Sequence, residues 1–459
     1  MYKINFKEPI HIHFIGIGGI SMSGLAEILL NENFTVSGSD SKESPLTKHL
    51  IDKGATIFYG QKASNIIEGI NLVVYTAAIQ RDNIELIEAV SRKIPLLSRA
   101  ELLGQLMSNY DTPIAVSGTH GKTTTTSMIA HVLLEGKKDP TISVGGILKA
   151  IGGNIRVGNS QTFITEACEY TNSFLHFFPK IGIILNIEAD HLDFFKDIED
   201  IRSSFHQFAQ LLPTDGTLII NGEIEQYQSI VDGLSCHIIT YGLNDSMNYG
   251  AAHIAFDACG NASFDLLEDA RLVDHIQLAV TGRHNVSNAL SAIATAKLLD
   301  IPMDTIKKGL LSFTGTNRRF EYKGELNGIT IIDDYAHHPT EIRATLQAAE
   351  HYPHREIWCV FQPHTYTRTK ALFKEFVSAL SHTDHIILAD IYAARETDTL
   401  GISSLELANS LKSIGCDAYY LPSFESIENF LLEKCIHGDL LITMGAGDVV
   451  NIGESLLNS

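Results

Sequence analysis

Short apolar runs rich in β-branched residues recur along the chain, each followed by a glycine-rich or polar corner and then a stretch of helical period. They are Ile12–Ile17, Leu72–Tyr75, Ile114–Val116, Phe163–Thr165, Ile181–Leu185, Ile329–Ile332, Ile357–Phe361, Ile386–Ala389 and Leu440–Thr443. This alternation predicts strands and helices succeeding one another on parallel sheets. No repeat of roughly 20 to 50 residues and no low-complexity tract interrupts it. Polar segments at Ser108–Asp111 and Thr314–Asn317 mark two boundaries. The expected fold class is α/β in three domains, over 1–108, 109–315 and 316–459.

Composition agrees. A chain of 459 residues with 44% hydrophobic and 19% charged residues is globular and has room for several cores. Its formal charge of -20 repels phosphodiester backbones and anionic lipid, so neither nucleic acid nor a membrane surface is an expected partner. Six cysteines lie far apart with no CxxC pair, which points to reduced thiols rather than a disulfide framework or a zinc cage. The start leads to no secretory apolar core before His11, and no run approaches the ~18 apolar residues of a membrane span. The chain is expected to be cytoplasmic.

The sharpest chemical signal is Ser117-Gly118-Thr119-His120-Gly121-Lys122-Thr123-Thr124, between a strand and a helix-competent run. Glycines let backbone N–H groups close on phosphate oxygens at the positive end of a helix, a lysine adds a point charge, and the next hydroxyl reaches a magnesium ion. The loop is shorter than GxxxxGK[ST], since Gly118 and Gly121 are three apart. Two later strand exits offer metal ligands, Glu166 and His191. The amino-terminal run carries Gly16, Gly18 and Gly19, and its second strand ends at Asp40. This layout copies a dinucleotide fingerprint, but Ser21 stands where the third glycine belongs, so the diphosphate of another nucleotide fits equally well. Three more strand exits carry Asp333-Asp334-Tyr335-Ala336-His337-His338-Pro339-Thr340-Glu341, Gln362-Pro363-His364-Thr365-Tyr366-Thr367-Arg368, and Gly445-Ala446-Gly447-Asp448. One histidine of the pair before Pro339 is expected to cap a helix, and Arg368 suits a carboxylate.

Taken together, Gly-Thr-His-Gly-Lys-Thr-Thr, Asn-Ile-Glu-Ala-Asp-His-Leu-Asp, Gly-Arg-His-Asn-Val-Ser-Asn-Ala, Arg-Arg-Phe-Glu and Asp-Asp-Tyr-Ala-His-His-Pro-Thr-Glu make the whole chain resemble the Mur ligase family. Within it, the branch that adds L-alanine to UDP-N-acetylmuramate is the nearest in pattern. The resemblance implies a Rossmann-like UDP-sugar domain, a central P-loop-type ATPase domain and a Rossmann-like α/β amino-acid domain, in that order, and an acyl phosphate as the intermediate of amide formation. By the same resemblance, Lys122 contacts the β- and γ-phosphates of ATP and Thr123 a first magnesium ion (manganese being an alternative), while Glu166 and His191 hold a second. Asn285 and Asn288 lie beside ATP, Arg319 faces the transferred phosphoryl, and Asp334, Tyr335 and His338 stand near ATP or the amino acid. His338 is also the candidate base for the amine. Gly16, Gly18, Gly19 and Asp40 then belong to the UDP-sugar, and Arg368 to the amino-acid carboxylate. Some family members carry arginine where this chain has Thr365, so Arg368 is expected to act alone. A monomer or weak homodimer is expected. Rival readings are a tripeptide-recycling ligase, a non-catalytic nucleotide sensor and a nicotinamide dehydrogenase.

Overall fold

A computed structural model describes residues 2–76, 78–394, 396–398 and 400–458. Each of the nine apolar runs named above supplies a strand, with Ile17, Leu185 and Ala389 falling past the strand ends. The chain divides into two compact units, one of residues 1–186, 202–240 and 291–306, the other of residues 187–201, 241–290 and 307–459.

The first unit opens with strands β1 (His11–Ile15), β2 (Thr35–Asp40), β3 (Thr56–Tyr59), β4 (Leu72–Tyr75) and β5 (Leu96–Ser98). They pair in parallel in the order β3-β2-β1-β4-β5. The order reverses direction at β1, and in open α/β sheets ligands bind at the carboxyl ends of the strands beside such a reversal. The loop Gly16–Gly19 leaves β1 there and leads into the helix Ile20–Asn31. Gly24, on that helix, permits a close approach of a different kind: a Cβ on it would stand 2.0 Å from Ile155 Cγ1.

The same unit then carries β6 (Thr112–Ser117), β7 (Thr141–Leu148), β8 (Gly153–Arg156), β9 (Thr162–Ala167), β10 (Ile181–Ile184), β11 (Thr217–Asn221) and β12 (His237–Tyr241). Their order is β12-β11-β10-β6-β9-β7-β8, with β6 flanked in parallel by β9 and β10. The strands around β6 are buried along most of their length, as a sheet covered on both faces requires.

The second unit holds an antiparallel meander of β13 (Tyr249–Phe256), β14 (Asn261–Glu268) and β15 (Arg271–Thr281). It also holds a sheet of β16 (Glu321–Leu326), β17 (Ile329–Asp334), β18 (Ile357–Phe361), β19 (His385–Leu388), β20 (Asp417–Tyr420) and β21 (Leu440–Met444). The order is β16-β17-β21-β18-β19-β20, parallel except for the antiparallel edge strand β16. Because successive side chains on a strand point to opposite faces, the sheet builds two cores. Ile332, Cys359, Phe361 and Ile442 face one, and Ile331, Trp358, Val360 and Leu441 face the other. Burying each large apolar side chain contributes roughly 1.5–3 kcal/mol, which makes this two-faced sheet a rigid platform for the loops at its strand ends. Trp358 is the only tryptophan in the chain, and its ring stacks 3.9 Å from that of His385.

Candidate active site

In the first unit β6 ends at Ser117 and the helix Lys122–Glu135 begins after four loop residues. Gly121, the residue before the helix, has φ 82°, a left-handed conformation that a Cβ disfavours, and no side chain caps the first turn. The start of the helix therefore faces the loop with its amide groups, as an anion cradle requires. Asn186 holds the loop from the side. Its Oδ1 accepts from His120 N at 2.7 Å, its Nδ2 donates to His120 O at 3.1 Å, and its carbonyl accepts from Thr119 N at 3.2 Å. Ser117 Oγ donates to Ile183 O at 2.6 Å, tying the loop's base to β10.

Lys122 folds back over this loop. Its Nζ donates to Gly118 O, to Thr119 O at 3.0 Å and to Glu169 Oε2 at 2.8 Å. Burial alone would lower the pKa of this ammonium, but the Glu169 carboxylate reverses the effect and holds it above its ordinary value. Glu169 lies just beyond β9 and was not among the residues expected from the sequence. No local pattern links it to a lysine 47 positions earlier.

Glu166, on β9, accepts from Gly145 N at 2.5 Å through Oε1. A Cβ on Gly145 would meet Glu166 Oε2 at 2.9 Å, and one on Gly146 would meet Thr123 Cγ2 at 3.1 Å. The bare backbone of this glycine pair thus leaves room for both Thr123 and Glu166. A hydroxyl and a carboxylate are the hard oxygen donors that magnesium takes, so these residues fit the ion. In the amino-terminal loop, Gly16 N and Ile17 N both donate to Ser39 O, and Gly18 N donates to Asp40 Oδ2 at 2.8 Å. Asp40 therefore braces the glycine loop with its own carboxylate. Beneath it Ser39 Oγ donates to the buried Glu85 at 2.6 Å.

The second unit gathers the other expected residues around the ends of β17 and β18. Asp334 accepts from Ala336 N at 2.7 Å and Phe320 N at 2.8 Å. Burial pushes its carboxyl up to about 6, with Arg319 pulling the other way. Arg319 lies 3.7 Å from Glu341 Oε1, and both it and Arg318 stand over the ring of Tyr335. Arg318 is anchored by Asp333 at 2.9 Å and by the carbonyls of Gly445 and Gly447. Burial holds His284, His337 and His364 down at about 4, leaving them neutral at pH 7. The positive charge of this cluster accordingly resides on the arginines.

Two placements refine the sequence reading. His338 is the histidine that caps a helix: its Nδ1 accepts from Thr340 N at 3.3 Å at the start of Pro339–Glu350, and its Nε2 lies 3.3 Å from Ala189 O. Nδ1 then carries the lone pair and Nε2 the proton, so the ring as placed has no free lone pair for an amine. Arg368 is engaged by Asp190, with Nη2 at 3.0 Å and Nε at 3.1 Å from Oδ1; Asp190 is buried and Arg368 largely so. Burial acts to raise the Asp190 pKa, but the Arg368 charge holds it well below the usual carboxylate range. Asp190 Oδ1 also accepts from the backbone N of His191, a residue at φ 53°. Thr365 Oγ1 caps the short helix that carries Arg368, which gives the threonine a role of its own. Asn288 Nδ2 donates to Asn285 Oδ1 at 3.0 Å, and Asn285 in turn donates to Thr281 O.

Three consecutive segments match family descriptions: residues 11–111 "Mur ligase family, catalytic domain", 116–296 "Mur ligase middle domain" and 318–447 "Mur ligase, glutamate ligase domain". The chain belongs to the Mur ligase family. It is 59% identical over the full length of both chains to a UDP-N-acetylmuramate–L-alanine ligase of Lachnoclostridium phytofermentans. It is 60% identical, again over the full length of both, to the enzyme of the same name from Agathobacter rectalis. Among solved structures, the UDP-N-acetylmuramate-alanine ligase of Thermotoga maritima superposes with a TM-score of 0.80 at 29% identity, covering 98% of each chain. A murein peptide ligase of Psychrobacter arcticus gives a TM-score of 0.69 at 26% identity, also over 98% of each chain. As a Mur ligase, the chain joins an acid to an amine, which accounts for a lysine-bearing phosphate loop on a fold that otherwise suggests a dinucleotide enzyme.

Proposed function

We propose that this Mur ligase uses ATP to join L-alanine to the lactyl carboxylate of UDP-N-acetylmuramate, a step in building peptidoglycan precursors. Full-length identity near 60% to ligases of that name carries the choice of substrate, and the Gly121–Lys122 loop carries the choice of energy source. On this reading residues 1–108 take the UDP-sugar, 109–315 take ATP and 316–459 take the amino acid.

A carboxylate does not condense with an amine at neutral pH, because oxide is a poor leaving group. The lactyl carboxylate therefore attacks the γ-phosphorus of ATP. A C–O–P bond forms, the β–γ bridging bond breaks, and ADP leaves. The uncharged amine of alanine next attacks the acyl carbon, phosphate departs with its bridging oxygen, and the surplus proton of the amine passes to solvent. In the first half two anions must meet. Lys122 neutralises the β- and γ-phosphates, the uncapped start of its helix adds backbone N–H donors, and Arg319 offers its guanidinium to the transferred group. Thr123 would hold a first magnesium ion, and Glu166 and His191 are proposed for a second; magnesium supplies Lewis-acid stabilisation of developing phosphoryl charge when bound. Gly16, Gly18 and Gly19, braced by Ser39 O and Asp40, present the diphosphate loop to UDP. Arg368 holds the amino-acid carboxylate once Asp190 shares or releases it.

Among the described residues no helix is long and apolar enough to cross a membrane. We take the reaction to run in the cytoplasm, where ATP and nucleotide sugars are supplied. The test is product formation by the full chain. Phosphate release from ATP should require UDP-N-acetylmuramate, magnesium and alanine together, and mass spectrometry should show the alanyl amide. Failure to form an amide with alanine, accompanied by turnover with a tripeptide, would transfer the chain to the recycling branch. Lys122→Ala should abolish turnover and leave UDP-sugar binding within about twofold, because the two loops are built on separate sheets.

A further inference from the structure

The ammonium of Lys122 has three N–H donors, and each is already taken: by Gly118 O, by Thr119 O and by the Glu169 carboxylate. The pair is enclosed, with side-chain exposures of 15% for Lys122 and 3% for Glu169. A buried ammonium requires a counter-charge, and the backbone carbonyls supply dipoles but no net charge. Glu169 is therefore the group that keeps Lys122 charged and folded onto its loop when no nucleotide is present.

Its position is fixed by the backbone rather than by a flexible stem. Two and three residues on, Thr171 and Asn172 both adopt left-handed conformations, φ 54° and 56°. For a β-branched threonine that conformation is strained, and such strain persists only where surrounding contacts impose it. The contacts are visible: Asn172 N donates to Glu169 O at 2.8 Å, Phe174 N donates to Cys168 O at 3.0 Å, and Asn172 Oδ1 accepts from Ser204 Oγ at 2.5 Å. Phe174, at the end of the turn, stacks in the core on Phe208.

We propose that Glu169 is a positioning residue that stands in for the nucleotide's terminal phosphates, pairing with Lys122 until a triphosphate displaces it. This rests on the reading that the loop takes ATP. A phosphate oxygen arriving at the ammonium meets a carboxylate bound to the same proton donors, and two anions so close repel. The nucleotide must break the Lys122–Glu169 bond as it binds, so the carboxylate sets the affinity of the loop and discriminates against ligands too weakly charged to compete.

The experiment is equilibrium binding of ATP and of AMP to the full chain, without magnesium, for the natural protein, Glu169→Gln and Glu169→Asp. Glutamine keeps the shape and removes the competing charge. Its ATP affinity should rise on the order of tenfold, within the usual range of coupling between two ligands of one site. AMP, which has no β- or γ-phosphate to meet Lys122, should bind equally to both. The melting temperature without nucleotide should fall, and the increment that ATP adds should grow. If Glu169→Gln folds poorly, Glu169→Asp still decides the matter: a carboxylate withdrawn by one methylene should shift ATP affinity in the same direction by a smaller factor. Unchanged or weaker ATP binding in these variants overturns the proposal. Equal tightening of ATP and AMP does so as well, since it would mean a general loosening of the loop. A natural protein that binds no ATP overturns the nucleotide reading itself, which is a separate result.

Discussion

Arg368 illustrates what single residues disclose and what they conceal. A guanidinium beside a strand exit is visible in the sequence, whereas its carboxylate partner, Asp190, lies 178 positions earlier. Glu169 is hidden from sequence reading for the same reason. The phosphate loop is legible because its glycines, lysine and threonine are contiguous, and the chemistry of each follows from the residue type. Ion pairs closed by tertiary folding leave no such local trace. At this scale Asp190→Asn should lower stability by about 3 kcal/mol, because it strands a buried guanidinium. Combining it with Arg368→Gln should return a large part of that loss. Chemical denaturation of the two single variants and the double variant measures the coupling, and strict additivity would mean that the pair contributes nothing.

Helix Pro339–Glu350 shows the same division for elements. Proline at its first position, a capping side chain before it and Glu341 closing the box are sequence signatures of a helix start, and all three are present. Which histidine caps could not be read from the pair, since both precede the proline closely. Its answer changes the chemistry: a capping ring spends its lone pair on Thr340 N. His338→Asn, which preserves an acceptor, should keep stability and lower kcat by less than about tenfold, while His338→Ala should lose about 1 kcal/mol. A fall in kcat of about a thousandfold in the asparagine variant would mark His338 as the general base after all. Among strands, continuous apolar runs such as Ile357–Phe361 were legible because a parallel strand is buried on both faces. The meander from Tyr249 to Thr281 was not, since its strands carry polar and charged residues at closely alternating positions and imitate surface loop.

For the whole molecule, the fold class could be read from the repetition of strand, corner and helix, while the compact units could not, because packing joins segments that are distant in the chain. The second unit also has a collective titration. His284, His337 and His364 are held near 4, below the ordinary 6.5. Between those values the unfolded chain binds protons that the native chain does not, so stability is lost as pH falls from about 6.5 towards 4. Asp334, raised to about 6, has the opposite sign between its ordinary 3.8 and 6, and offsets one of the three. Below 3.8 protonation of Asp190 adds a further loss in the same direction as the histidines. Calorimetric melting between pH 7.5 and 4.5 should show a steady decline, and a flat profile would mean that the histidines are hydrated and ordinary.

Trp358 gives this molecule a built-in optical label. Since the indole is unique in the chain and lies inside the β16–β21 sheet, ultraviolet emission excited at the red edge of the band reports on that sheet and is blind to melting in the nucleotide-loop unit. Comparing emission with circular dichroism during heating would therefore reveal, without any attached dye, whether each unit melts at the same temperature as the other or at its own.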